Sequence, residues 1–233
     1  MAVLFCKSSF YSLFFVWWYF FGRKDAFPGA DGSTITQVTG ADPNAEIISI
    51  YDSDGATISG GSITGLRLEN VTTSGVLSGN TSQIYTIKNP MTFIYSTKVP
   101  KDWYTDDETY QNDVLWGNGE KKSSYDPCPV GWRVPNNSST TYGDFSMETM
   151  PASGSNYTVY AGRTYANMSW FPAAGGLFLN SFSLSFVGDY GCYWSASAGS
   201  TVSAKRLYFS YSTLNPSATS YRMNGYVVRC IQK

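Results

Sequence analysis

Two cysteine-bearing segments constrain this 233-residue chain more than any other feature: Tyr125-Asp-Pro-Cys-Pro-Val-Gly-Trp-Arg-Val-Pro135 near its middle and Asn224-Gly-Tyr-Val-Val-Arg-Cys-Ile231 at its end. Prolines 127, 129 and 135 fix φ and remove backbone donors, so the first segment reads as a rigid irregular crossing and neither a helix nor an inner strand. The second alternates β-branched and polar residues from Tyr226 to Ile231 and reads as the strand that ends the fold. Four cysteines allow three pairings, and spacing does not choose among them. The reading adopted is Cys128 with Cys230, which leaves Cys6 and Cys192 unpaired. That bond would close a loop of about one hundred residues and contribute roughly 4 to 5 kcal/mol on the chain-entropy model. It requires an oxidising compartment.

The length suits one β-rich domain with a full core. Charged residues are only 14% and aromatics 17%, and the formal charge is -1, so neither disorder nor a general attraction to nucleic acid is expected. The charge is unevenly placed: from Tyr190 to Lys233 there is no Asp or Glu, while Lys205, Arg206, Arg222, Arg229 and Lys233 are all there. That asymmetry suggests a mildly cationic surface for an acidic or anionic partner. The chain has no histidine, which removes imidazole bases, the usual zinc sets and Ser-His or Cys-His catalysis.

The apolar run Phe10 to Phe21 is too short to cross a bilayer as a helix, so no transmembrane span is expected. It also makes a poor signal peptide, because the basic pair Arg23-Lys24 follows it and no small-residue cleavage site is evident. Cys6 follows Val3-Leu4-Phe5 and lacks the small residue that precedes a lipidated cysteine. A buried aromatic strand over Leu13 to Phe21 accounts for the run better.

From Asp31 to Lys88 the chain is rich in Thr, Ser, Gly and β-branched residues. Alternation at Glu46–Tyr51, Ala56–Ser59, Ser62–Thr64 and Ile84–Lys88, with turn signals at Asp54-Gly55, Gly60-Gly61 and Gly79-Asn80, predicts short strands and hairpins. The best helix signal is Ser139 to Met150, with a shorter one in Asp106 to Asn112. Strand-like runs return at Leu177–Leu179, Gly191–Ser195, Ala204–Ser210 and Tyr226–Ile231. The predicted class is α+β, dominated by β-structure around a core rich in Trp and Tyr.

Several motifs then fall in order along the chain: Gly22-Arg-Lys-Asp-Ala-Phe-Pro-Gly29, Lys88-Asn-Pro-Met-Thr-Phe-Ile94, Asp102-Trp-Tyr-Thr105, Leu115-Trp-Gly117, Tyr125 to Pro135, Trp170-Phe-Pro-Ala-Ala-Gly175, Tyr193-Trp-Ser195 and Gly225 to Ile231. Together they resemble the Fibrobacter succinogenes major paralogous domain family, found on secreted and surface proteins of Bacteroides-type bacteria. The resemblance implies a C-type lectin-like domain with short helices and long structured loops over residues 22–233. Within it, residues 31–88 form a hairpin-rich insertion, and residues 1–21 stand apart as an atypical or truncated start. Two departures from the family pattern are the missing opening strands and Cys192, where an aromatic or small residue is more usual; Cys192 is expected as a buried apolar thiol.

Residues 194–231 are similar to the variable regions of proteins diversified by retroelements. The resemblance implies exchangeable, ligand-binding side chains at Ser200, Thr201, Val202, Ser203, Arg206, Tyr208, Ser210, Tyr211, Ser212, Ser217, Ala218, Thr219, Ser220 and Tyr221. Their chemistry suits that role, since Tyr gives large amphipathic contact area and Ser and Thr give adaptable hydrogen bonds.

Other candidates are weaker. Asp102, Asp106, Asp107 and Glu108, with Asn112-Asp113 nearby, have the oxygen chemistry of a calcium site, but the sugar-binding lectin patterns are missing. A copper-dependent cysteine oxidation, known within the same broad fold, would need two reactive cysteines that are better used as a bridge. Trp132, Trp170 and Trp194 are expected in or just beneath the core. Arg133 and Arg229 are expected to tie loops to buried carbonyls or to Asp126. The expectation is therefore a non-enzymatic recognition or adhesion domain without a cofactor, extracellular, at a cell surface or on a phage virion. It would bind a protein or glycan on another cell or phage surface and no nucleic acid. The alternative is a fimbrial tip or assembly module with no external ligand.

Overall fold

The computed structural model describes residues 17–28, 67–90, 92–117, 121–137, 144–154, 161–166, 169–178 and 183–232. In chain order its strands are β1 Trp17–Tyr19, β2 Phe27–Pro28, β3 Arg67–Asn70, β4 Thr92–Tyr95, β5 Trp132–Arg133, β6 Ala152–Ser153, β7 Gly162–Tyr165, β8 Ser169–Pro172, β9 Ala174–Phe178, β10 Ser183–Val187, β11 Gly191–Ser200, β12 Ser203–Phe209, β13 Leu214–Tyr221, β14 Tyr226–Val228 and β15 Ile231–Gln232. Among the described residues one helix, α1 Gln83–Lys88, and one 3₁₀ turn, Glu108–Tyr110, accompany them. The architecture is β-dominated with few helices. No described helix is long and apolar enough to cross a membrane.

The main sheet has six strands in the order β13-β12-β11-β14-β1-β2. Strand β14 lies parallel to β11 and antiparallel to β1, so the end of the chain is inserted beside its beginning. Because successive side chains of a strand point to opposite faces, this sheet serves two cores. Cys192, Trp194, Ala196, Ala204 and Tyr226 pack on one face, together with Phe21 and Trp116. Tyr193, Leu207 and Phe209 pack on the other, against Met150, Ala161, Phe171 and Ala173. The three-stranded sheet β6-β7-β8 brings that second layer, and the Tyr193 hydroxyl donates to the Pro172 carbonyl at 2.7 Å. A third cluster joins Trp18 and Phe20 to Phe93, Trp103, Leu177 and Val187.

The aromatic start of the chain is structural. Trp18, Phe20 and Phe21 are buried, Trp194 Nε1 donates to the Tyr19 carbonyl at 2.9 Å, and Trp103 Nε1 donates to the Phe21 carbonyl at 2.7 Å. The folded unit therefore takes in residues 17–21 as well as the span expected from residue 22 onward. The rest of the expected Leu13–Phe21 strand, Cys6, the runs 46–51, 56–59 and 62–64, and the turn signals at 54–55 and 60–61 lie outside the described residues.

Cys128 and Cys230 are disulfide-bonded, the pairing adopted from the sequence, while Cys192 is free and buried. Asp126 organises the crossing that holds Cys128: its carboxylate accepts from the Cys128 amide at 2.8 Å, the Val134 amide at 3.0 Å and Lys122 Nζ at 2.6 Å. Lys122, and neither Arg133 nor Arg229, meets Asp126. The two arginines take the carbonyl alternative: Arg229 donates to the Trp170 carbonyl at 2.7 Å and lies over the Phe171 ring, and Arg133 donates to the Val134 carbonyl at 3.4 Å. The closing strand is divided: β14 stays in the main sheet, whereas β15, past Cys230, pairs with β5 in the mid-chain crossing.

Three expectations are corrected. Ile84–Lys88 is helical, not a strand; Ile84 and Ile87 are both exposed, so their spacing marks no sheet face, and Thr86 is the buried residue. Asp144–Met150 forms turns, because the Ser146 and Thr149 hydroxyls exchange bonds with each other's amides and Thr149 also donates to the Asp144 carbonyl; residues 139–143 of that expected helix lie outside the described residues. Trp132 is 43% exposed, unlike Trp194 at 0%, because it sits on the short β5–β15 ribbon. The short helix expected in Asp106–Asn112 is the 3₁₀ turn, capped by Asp107 accepting from the Thr109 amide at 2.8 Å. Gly79-Asn80 makes the predicted turn, both residues having positive φ between the bridged pair Ser78 and Thr81.

Candidate ligand-binding face

Among the described residues the second face of the main sheet is covered over only part of its length. Where β11, β12 and β13 run past β6-β7-β8, their side chains change from Tyr193, Leu207 and Phe209 to Ser197, Gly199, Ser203, Lys205, Ser217, Thr219 and Tyr221. The register fixes this grouping, with Lys205 opposite Thr219 and Ser203 opposite Tyr221. Gly199 belongs to it too, since a Cβ there would meet Ser203 Oγ at 2.9 Å and Thr219 Cγ2 at 3.1 Å. Ser217, Thr219 and Tyr221 are exposed, in strict alternation with half-covered neighbours along β13.

Polar bonds link the strands of the face to one another and to a neighbouring loop. The Asn137 amide donates to Ser197 Oγ at 3.0 Å, and its side-chain Nδ2 donates to Ser217 Oγ at 3.0 Å. Lys205 extends its ammonium across to Ser217, reaching the carbonyl and hydroxyl at 3.4 Å. At the other end Lys101 Nζ lies 4.3 Å from the centre of the Tyr221 ring. Among the described residues neither lysine has a carboxylate within salt-bridge distance. The result is a hydroxyl-lined face carrying two ammonium groups and one aromatic ring.

The hairpin tip beside this face is anchored from below. Arg222 is buried and donates to the Ser200 carbonyl at 2.9 Å and to the Asp113 carboxylate, with Asp102 3.8 Å away and the Phe21 ring beneath it. Gln111 Nε2 donates both to Asp102 at 3.0 Å and to the Thr201 carbonyl at 2.7 Å. Burial pushes the Asp102 carboxyl above its usual range, and the Arg222 charge opposes that rise. Asp102, considered above for calcium, is thus engaged with Arg222 and Gln111. No group of three or more His, Cys, Asp or Glu among the described residues could hold a metal.

The positions expected to bind ligand do not form one surface. Ser203, Ser217, Thr219 and Tyr221 share the open face, and Ser200, Thr201 and Val202 form the hairpin tip at its end. Arg206, Tyr208, Ala218 and Ser220 point to the opposite face. There Arg206 Nη1 donates to Cys192 Sγ at 2.8 Å, and its guanidinium lies over the rings of Tyr208 and Tyr226 at 4.9 Å and 4.7 Å. Tyr208 also packs edge-on to Tyr190, and burial raises its hydroxyl pKa. Burial likewise raises the Cys192 thiol against the Arg206 charge, so this sulfur is a neutral, enclosed group. Ser210, Tyr211 and Ser212 lie at the distant β12–β13 turn, where Arg163 donates to the carbonyls of Ser210 and Tyr211 at 2.9 Å and 2.8 Å.

Sequence reasoning placed Lys205 in a cationic stretch but not among the binding positions, and passed over Ser197, Asn137 and Lys101. Alternation from Ser203 through Lys205 to Leu207 could have found Lys205. Nothing local marks Asn137 or Lys101, which tertiary packing brings to the face. No family model, curated protein or solved structure matches this chain.

Proposed function

We propose that this chain is a non-enzymatic recognition domain of C-type lectin-like fold, displayed at a cell surface or on a phage virion, which binds a protein or glycan through the open half of β11, β12 and β13. The observation that carries the reading is the open face itself: exposed Ser217, Thr219 and Tyr221 stand on a sheet whose opposite face and other half are packed with aromatic side chains. Such a face offers adaptable hydroxyls around an aromatic anchor, the composition that suits an exchangeable paratope. The disulfide between Cys128 and Cys230 agrees with an oxidising compartment.

Diversification by a retroelement fits the exposed subset of positions, Ser200, Thr201, Tyr211, Ser212, Ser217, Thr219 and Tyr221, and excludes Arg206 and Tyr208, whose side chains fill the other face. A test is to label the purified protein and measure its capture by surfaces of candidate bacterial and host cells, beside a Ser217→Arg/Tyr221→Ala double variant. Capture lost in the double variant at unchanged melting temperature is the expected result; equal capture by both proteins removes this face as the site.

A further inference from the structure

Among the described residues the open face ends at a sheet edge that no further strand pairs, and the hydrogen-bond geometry states which main-chain groups that edge presents. Strand β13 is the terminal strand of the main sheet, paired on one side with β12. The Ser195 hydroxyl on β11 donates to the Lys205 carbonyl at 3.0 Å, so the main-chain groups of Lys205 point toward β11 and away from β13. Its partner Thr219 therefore sits in a non-hydrogen-bonded pair, and the N–H and C=O of Thr219 point outward from the sheet. By the same two-residue period the main-chain groups of Ser217 and Tyr221 also point outward. Some of these are already satisfied: the Ser217 amide donates to Asn215 Oδ1 at 2.9 Å, and the Tyr221 carbonyl accepts from the Asn224 amide at 3.0 Å. Thr219 keeps both its groups, and Tyr221 its N–H, facing outward.

Both unpaired lysines stand along this edge. Lys205 originates on β12, yet its ammonium lies at the outward Ser217 carbonyl, one strand spacing of about 4.8 Å from where an added strand would run. Lys101 lies over Tyr221 at the other end of the same segment. From Tyr190 to Lys233 the chain has no Asp or Glu side chain to neutralise them.

We infer that β13 is completed by an extended acidic peptide segment of a partner protein, added as a further strand along Ser217–Tyr221. Its main chain would pair with Thr219, and alternate Asp or Glu side chains would lie beside Lys205 and Lys101. This inference rests on the recognition reading above and narrows its partner to a protein with an extended acidic stretch.

The probe is a synthetic peptide alternating glutamate with threonine, measured by fluorescence anisotropy against the folded protein. Expected are saturable binding that weakens about tenfold with Lys205→Glu and weakens at high salt, as charge pairing near a surface requires. Thr219→Pro should abolish binding and leave the fold intact, because the lost N–H belongs to no pair with β12. Should that variant fail to fold, two peptides N-methylated on opposite alternate residues replace it: one must bind and the other must not. Equal binding by both methylated peptides, or binding indifferent to Lys205→Glu, overturns strand addition. Absence of peptide binding while cell capture still depends on Ser217 and Tyr221 overturns the acidic segment and leaves the recognition face standing. Peptide-independent dimers that dissociate in Thr219→Pro would assign the edge to a second copy of the chain and likewise overturn the inference.

Discussion

Tyr208 and Tyr221 belong to adjacent strands and look alike in sequence, yet one is packed and the other exposed. Tyr208 touches Tyr190 and the Arg206 guanidinium above buried Cys192, so Tyr208→Ala should destabilise the fold by about 2 to 3 kcal/mol through lost packing. Tyr221→Ala and Tyr211→Ala should stay within about 0.5 kcal/mol of the parent in the same urea titrations, since both side chains are exposed. Tyr226 lies on the packed side with its hydroxyl bonded to Ser220 and Asn224, and burial pushes its pKa up to about 12 from 10.0, with Arg206 opposing. The unfolded chain loses this proton first, so the stability tied to neutral Tyr226 is full below pH 10 and declines as pH rises toward about 12. Buried Tyr193, whose pKa is also raised, acts in the same direction. Melting curves followed with tyrosinate absorbance should show a flat neutral range and a fall confined to that alkaline window; a constant melting temperature across it would show that neither phenol is enclosed.

At the scale of elements, the cysteine pair fastens the mid-chain crossing to the end of β14. The bond spans a sequence separation of 102, so replacing both cysteines by alanine should cost roughly 4 kcal/mol through the freed unfolded chain. Unfolding in guanidinium should shift its midpoint accordingly. A shift near zero would mean that Asp126 and the β5–β15 pairing hold the crossing unaided. Close contact matters as much at Gly191, where a Cβ would come within 2.0 Å of the Phe209 ring. Gly191→Ala must push that ring out of the second core, and a loss of about 2 kcal/mol is expected from the same denaturation measurement.

For the molecule as a whole, the aromatic start and the closing strand make one sheet. Trp18, Phe20 and Phe21 fill two of the three cores, and β1 is the neighbour of β14. A protein shortened to begin at Gly22 should therefore lose cooperative unfolding and its near-ultraviolet aromatic signal, while a protein shortened only to Trp17 should keep both. The pairing also explains why β14 can run parallel to β11: it comes from a long connection through β12 and β13 and not from a hairpin.

Much of this was legible in residue order. Alternation marked β11, β12 and β14, Gly79-Asn80 marked a turn, and the proline-bound Cys128 with the terminal Cys230 marked the staple, because each depends on near neighbours in the chain or on a covalent partner of restricted chemistry. Ile84–Lys88 misled for the same reason: its spacing suits a strand, but Ile84 and Ile87 are exposed on a helix. The sequence by itself determined that this is a β-rich chain with an aromatic core, no imidazole chemistry and no Asp or Glu from Tyr190 to Lys233. Only the tertiary structure decided which hydroxyls and tyrosines face outward. Covering by β6-β7-β8 stops partway along β11–β13, and the contacts of Asn137, Lys101 and Arg222 with that region come from positions remote in sequence, where no local pattern records them.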